Sequence, residues 1–159
     1  MRWDTFRESS PELAAYAEER FAVTELVMLG TLRKDGFPRI SPIEYTFFDG
    51  ELTLGGIWQA KKALDLLRDS RCTVHSVTSN KNGQEGDVKL WGHGLHVTDG
   101  AWLERYWQHI WETIHFRPAG PAHVFTIDIS EAAYVRFTGE GVMEWLTWPG
   151  NRWRSRRSE

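Results

Sequence analysis

The chain has one cysteine, Cys72, so no disulfide can form within it, which fits a reducing cytoplasm. No apolar run approaches the ~18 residues that a membrane-spanning helix needs. Met1 is followed by Arg2, Trp3 and Asp4 rather than by an apolar segment, so no secretion signal is read. The expected location is cytoplasmic, with no membrane partner. There is no excess of positive charge, since 19 Lys and Arg face 22 Asp and Glu for a net −3. A nucleic-acid platform needs a basic face, so nucleic acid is not expected as a partner. Six histidines are present, but no His-Glu-x-x-His and no Cys-x-x-Cys, so no metal site is expected. The absence of Gly-x-Ser-x-Gly removes the usual hydrolase elbow.

What is abundant is aromatic side chains, 13% of the 159 residues, with nine Trp. The length suits a single domain, taken as residues 1–150. Residues 151–159 form a basic tail, with Arg152, Arg154, Arg156 and Arg157 against Glu159. That tail is +3 and the remaining body −6. The tail reads as a solvated, frayed terminus, with the holding of an anionic ligand or partner as the alternative.

The pattern predicts a first helix over Pro11–Phe21, with Ser9 and Glu12 spaced as a capping box. Three antiparallel strands follow: Glu25–Arg33, Phe37–Phe48 and Glu51–Ile57, the last two joined by the hairpin signal Asp49-Gly50. A helix over Gln59–Arg68 carries the apolar stripe Ala60, Ala63, Leu64, Leu67. Strands Arg71–Val77 and Val88–Thr98 flank a polar loop. Asp99 caps a third helix reaching Ile114, whose broad apolar face includes Trp102, Trp107 and Trp111 and suits a core or dimer seam. Strands Ala122–Phe137 and Val142–Trp148 close the list. Seven strands with hairpin turns and about three helices make an α+β fold with a closed antiparallel sheet. Apolar parity flips near Pro42 and again near Gly92 and Gly94, as a β-bulge would produce.

Two places invite chemistry. At Gly55-Gly56-Ile57-Trp58-Gln59-Ala60-Lys61-Lys62 a strand ends in two glycines and a helix opens with two lysines. Free N–H groups, the positive dipole end and Lys61 and Lys62 make a phosphate site, or simply a solvated first turn. No Gly-x-x-x-x-Gly-Lys-Ser/Thr is present, so it is not a P-loop. At Arg39-Ile40-Ser41-Pro42-Ile43-Glu44, Pro42 interrupts a good strand. The result is either a barrel-closing bulge or an edge against which a flat heteroaromatic ring can lie.

In order, a Lys-Asp-Gly turn, a Pro-Arg-x-Ser-Pro strand, an Asp-Gly hairpin, a Lys-Lys-Ala-x-x-Leu helix and an Asp-x-Arg strand resemble the pyridoxamine 5′-phosphate oxidase-like family. The resemblance runs from Thr24 to Thr98 and more loosely to Trp148. It implies an FMN-binding split β-barrel, usually a homodimer with cofactor sites at the subunit interface. It also implies a flavin ring along Arg39, Ile40, Ser41, Pro42, Ile43 and Glu44, with Gly55 and Gly56 lining the pocket. Lys61 and Lys62 would hold the phosphate, and Asp87 would contact the ring. Trp107, Arg117 or Trp148 are candidates for the second subunit's contribution. Trp58, beside the phosphate loop, and Trp148 are candidate pocket walls. The implied function is an oxidoreductase moving hydride or electrons between FMN and a small organic substrate; no catalytic side chain is singled out. Glu44 stands where the oxidase proper has a substrate-binding lysine, and no Arg-x-His segment is found, so vitamin B6 oxidation is not expected. Within the broader family the alternatives are a coenzyme F420-dependent reductase and a non-catalytic flavin- or haem-binding protein.

Overall fold

Alternate residues of Leu26–Leu32, the strand β1, are buried: Val27, Leu29 and Thr31. That period-2 pattern sets one face of a sheet toward the core. The computed structural model describes residues 1–157. Around β1 it places β2 (Pro38–Phe48), β3 (Glu51–Ile57), β4 (Arg71–Ser76), β5 (Asp87–His96), β6 (Ala122–Phe137), β7 (Val142–Trp148) and β8 (Arg152–Arg157). The helices are α1 (Trp3–Ser9), α2 (Pro11–Thr24), α3 (Lys61–Arg68) and α4 (Gly100–Ile114). Strands run β3-β2-β1-β4-β5-β6, and β6 pairs back to β3, so six antiparallel strands close into a barrel. The outer half of β6 carries β7, and β7 carries β8. This is the α+β split barrel that the sequence predicts, with α1 as an additional helix.

The core combines barrel-facing residues such as Leu52, Leu54, Val74, Leu90 and Ile127 with one flank of α1 and α2. Trp3 and Phe6, spaced i,i+3 on α1, are fully buried, as are Leu13, Ala17 and Phe21 of α2. The expected capping box does not form. Ser10 precedes α2 without a side-chain cap, and Ser9 closes α1, its hydroxyl donating to the Phe6 carbonyl. Asp99 does cap α4, accepting from the amides of Ala101 and Trp102.

One of the two parity flips is a bulge. Trp91 pairs with Glu131 but Gly92 with Ile129, leaving Ser130 as the extra residue of β6. The other is not. The β1–β2 register runs unbroken from Leu26↔Glu44 to Leu32↔Pro38. Arg39, Ser41 and Ile43 point toward the barrel and Ile40 points out, 70% exposed. The sequence pattern misleads there because a polar residue, Arg39, faces inward. The basic tail is also not frayed as far as residue 157. It pairs with β7, with the Trp153 indole donating to Glu12 and lying under the Arg136 guanidinium at 5.0 Å. The two remaining tail residues, 158 and 159, lie outside the described residues.

The bulge fixes a glycine. A Cβ on Gly92 would sit 2.1 Å from the Asp128 carbonyl oxygen, an immovable backbone atom, whereas one on Gly30 would meet Thr73 at an ordinary 3.6 Å. Gly92→Ala is therefore expected to lower stability by about 2–3 kcal/mol, as overpacking does. Gly30→Ala should stay within about 1 kcal/mol. Urea midpoints at unchanged slope measure both.

Candidate functional site

Strand β2 pairs with β3 only over Tyr45–Phe48 and with β1 only over Pro38–Glu44. Beyond Leu54, β3 departs, and Gly55, Gly56 and Ile57 pair with Val124, His123 and Ala122 of β6. The β3-side edge of Pro38–Glu44 is left without a strand partner among the described residues. The start of α3 sits beside the parting, and Lys62 Nζ donates to the Pro42 carbonyl at 3.1 Å. Pro42 and the α3 start, two separate features of the sequence, thus meet at one gap.

Ala60, before the first turn of α3, offers no side-chain cap, so the dipole end and its amides stay available. The helix does not bury the stripe read from the sequence. Ala63 and Leu66 are buried with Asp65, whereas Leu64 and Leu67 are 38% and 45% exposed. The reason is Asp65. Its carboxylate accepts from Arg39 Nε at 2.6 Å, from the Thr31 hydroxyl at 3.0 Å and from Arg68 at 3.3 Å. Burial works to raise this carboxyl, but the hydrogen bonds from Arg39, Thr31 and Arg68 outweigh it and hold it below its ordinary value. Asp65 takes Arg39 through Nε, which leaves the outer nitrogens of the guanidinium available to an anion.

These groups border a cleft of about 600 Å³ lined by Arg33, Lys34, Arg39, Lys61 and Arg68 with Asp35 and Asp65. Arg33 pairs with Asp35, and Arg68 also donates to the Leu32 carbonyl. Lys34 and Lys61 make no ion pair among the described residues. Five cations against two carboxylates leave this cleft with an excess of positive charge. The sequence reading missed Arg33, Lys34, Asp65 and Arg68; the Lys-Asp-Gly turn was visible, but nothing local says that it folds beside Lys61.

The remaining predicted residues fall in three places. Gly55 lies beneath α4, where a Cβ would come 3.4 Å from the Tyr106 hydroxyl, and Gly56 faces Ala63 and the His123 carbonyl. Trp58, 48% exposed, stacks on His123 with centroids 4.5 Å apart. His123 is 2% exposed, its Nδ1 is 3.3 Å from His96 Nε2, and burial, with His96 adding, lowers its pKa. Asp87 stands apart. With strand order β2-β1-β4-β5, two strands separate it from Pro42, and it is paired with Lys89 and with His75 at 3.4 Å. Between them, on the outer face, lies an apolar concavity of about 740 Å³ whose lining includes Met28, Ile40, Thr73, His75 and Trp91. Cys72 also borders it, its thiol pushed up to about 12 by burial. Trp148 meets Phe6 edge-on at 5.3 Å and packs on the main core. Arg117 is paired with Glu104 on the surface. Among the described residues no cluster of three or more His, Cys, Asp or Glu is placed to hold a metal ion. No helix is long and apolar enough to cross a membrane.

Residues 14–136 match the family model described as pyridoxamine 5′-phosphate oxidase. The chain belongs to that family. Among curated proteins no match is found. Solved structures with the same fold include the conserved hypothetical protein Rv2991 from Mycobacterium tuberculosis, 21% identical over 73% of this chain and 81% of that one, with TM-score 0.59. PhzG from Burkholderia lata, in complex with tetrahydrophenazine-1-carboxylic acid, is 12% identical over 95% and 93%, with TM-score 0.62. HutZ, the haem storage protein from Vibrio cholerae, is 13% identical over 82% and 92%, with TM-score 0.59. At these identities the likeness is one of fold.

The Asp65 cluster is testable without a ligand. Because its carboxyl lies below the ordinary 3.8 in the folded chain, the stability it contributes is present above pH 3.8 and lost as pH falls through its folded value. Asp65→Asn is expected to cost about 2 kcal/mol at pH 7, the scale of charge-assisted bonds to a buried carboxylate. It should also flatten the acid limb of stability against pH, read from urea unfolding across pH 2–7.

Proposed function

We propose that the protein binds FMN and acts as an oxidoreductase, passing hydride or electrons between the flavin and a small organic substrate. The observation that carries this reading is the meeting of an anion cleft with an unpaired strand edge. A phosphate suits Lys61, Lys62 and the uncapped start of α3. A flat ring suits the open edge of Arg39–Glu44, where backbone groups stand ready to pair with ring donors and acceptors. Bound there, the flavin supplies the redox chemistry. The chain's own residues supply charge neutralisation (Lys61, Lys62), a guanidinium oriented by Asp65 (Arg39), and walls that exclude water. Glu44, an exposed carboxylate on the outer face, opposes a phosphorylated substrate at that point, so the vitamin B6 phosphates are not the substrates.

The family commonly forms dimers, and a homodimer is part of the proposal. Ile40 and Trp91 expose apolar surface around the outer-face concavity, and a second copy there would bring its own groups toward the open edge and toward Asp87. The expected substrate is a small molecule, with neither nucleic acid nor membrane as partner.

A second reading is coenzyme F420 in place of FMN, and one feature favours it. The basic cleft continues past Lys61 to Arg33, Lys34 and Arg68, more cationic length than a single phosphate uses. Haem storage, as in HutZ, is the weaker fit. His75 and His93, the imidazoles bordering the outer-face concavity, are already engaged by Asp87 and Ser70.

Titration of the purified protein with FMN, riboflavin, F420 and haem separates these readings. Wild type is expected to bind FMN more tightly than riboflavin. Lys61→Ala with Lys62→Ala should weaken FMN at least about tenfold, or 1.4 kcal/mol, and leave riboflavin unchanged. Unchanged FMN affinity in that variant would remove the phosphate assignment. Binding of F420 tighter than FMN, lost with Arg33→Ala and Lys34→Ala, would select the second reading.

A further inference from the structure

The polar loop between β4 and β5 is held at both ends. The Glu85 carboxylate accepts from the amides of Ser79 and Asn80 at 2.6 and 2.9 Å and from Arg20 of α2 at 2.9 Å. The Gly83 carbonyl accepts from the Phe137 amide at 2.9 Å, which ties the loop to the end of β6. Between these anchors lies Asn82, exposed to solvent. Its backbone amide donates to Asn80 Oδ1 at 2.9 Å, and its own Oδ1 accepts from the Gln84 amide at 2.9 Å. Gly83 follows with φ +67°, and a Cβ there would strike the Phe137 ring at 2.6 Å. Backbone and packing together select glycine directly after this asparagine.

Attack by the Gly83 nitrogen on Asn82 Cγ closes a five-membered ring, and no side chain on Gly83 stands in the way. The hydrogen bond from Gln84 to Asn82 Oδ1 closes a turn that contains both reacting atoms. The Gly83 N–H donates to no protein group among the described residues, so it is not committed elsewhere. As the ring closes, negative charge builds on Oδ1, and the Gln84 N–H already points at that atom. The loop thus supplies an oxyanion donor where the charge develops. The two other asparagines lack this combination. Asn80 Oδ1 also accepts from the amide two residues on, but Lys81 follows it with a full side chain. Asn151 precedes Arg152, and its side chain is engaged by the Ser10 hydroxyl and the Ser9 carbonyl.

We propose that Asn82-Gly83 is a self-modification site at which the folded loop promotes deamidation. Hydroxide removes the Gly83 amide proton, and the nitrogen's electron pair forms a bond to Asn82 Cγ. The Cγ–Nδ2 bond breaks, and Nδ2 takes a proton from water and leaves as ammonia. Water then opens the succinimide at either carbonyl, giving aspartate or isoaspartate. Nothing is oxidised or reduced, and hydroxide and water are the only co-reactants. Each event adds one negative charge to the loop that Glu85 holds. The isoaspartate product also lengthens the main chain by one carbon directly ahead of Gly83, whose carbonyl ties the loop to β6.

The test incubates the folded wild type in mildly alkaline 18O-labelled water and maps tryptic peptides by mass spectrometry. Trypsin cleaves after Lys81, so Asn80 and Asn82 report separately. Label is expected at Asn82 at least about tenfold faster than at Asn80 or Asn151. The same chain unfolded in guanidinium should react at Asn82 no faster than the folded chain, because it lacks the fixed donor. Gln84→Pro removes that donor. It should slow the folded chain about tenfold, the scale of one charge-assisted hydrogen bond, and leave the unfolded rate unchanged. Asn82→Gln, whose longer side chain cannot close the five-membered ring, should lose the label at that position. Faster reaction at Asn82 in the unfolded chain than in the folded one overturns the proposal, whether or not Gln84→Pro folds. A rate at Asn80 that matches Asn82 in the folded chain overturns it as well.

Discussion

Closing six strands into a barrel requires β3 to leave β2 and turn to β6, and the rest of the site follows from that requirement. A strand tilted to close a small barrel cannot keep one neighbour along its whole length. Here the exchange happens at Leu54, the last residue of β3 paired with β2. Everything before Tyr45 on β2 then has an open edge. An unpaired edge at the surface is a liability in most proteins, because it templates pairing with other chains. This chain covers part of it with the start of α3, through Lys62, and leaves the rest next to a concentration of positive charge. The gap that barrel closure forces is the place where a ligand can pair with backbone.

Asp65 makes that arrangement rigid. A carboxylate at the end of a barrel is costly unless its partners are excellent, and Arg39, Thr31 and Arg68 come from β2, β1 and α3. The cluster therefore ties the helix to two strands by one charged group, with each partner reporting on a different element. It also explains why the cleft stays basic rather than collapsing. One buried anion is shared by two arginines, so neither is fully neutralised, and among the described residues Lys34 and Lys61 remain outside any ion pair. A second anion would balance that excess charge, and if one binds, stability is expected to rise by simple mass action.

Strands β1 to β7, their order in the chain and the hairpins were legible in the sequence because alternation and turn residues are local signals. Gly92 was legible as a bulge for the same reason. Pro42 was not, because Arg39 and Ile40 invert the usual rule: the charged side chain faces in toward Asp65 and the apolar one faces out. No local pattern announces a partner 26 residues away. The α3 stripe failed for a linked reason, since a buried aspartate replaced a leucine as the residue that faces the barrel. Helix α1 was missed because seven residues carry too little periodicity to stand out, although Trp3 and Phe6 were its signal. The arginine-rich end looked unstructured by composition; its pairing with β7, anchored by contacts of Trp153 with Tyr16, Tyr134 and Arg136, makes β8 a strand.

The tryptophans divide along the same line between local and tertiary causes. Trp3 is core, and Trp102 and Trp107 lock Tyr106 in place at the parting of the strands. Trp58 does something different. It covers His123 at the end of the barrel where α3 begins, and His123 Nε2 finds no hydrogen-bond partner among the described residues. Burial, with the neighbouring His96 adding to it, lowers the pKa of that imidazole. Its unfolded counterpart takes up a proton near pH 6.5, so the fold loses stability as pH drops below that value. The turn from Ile57 to Lys61, which presents the proposed phosphate site, rests directly on this stack. Acidification through pH 6.5 therefore acts on the support of the proposed anion site before it reaches the Asp65 carboxylate, which titrates below 3.8.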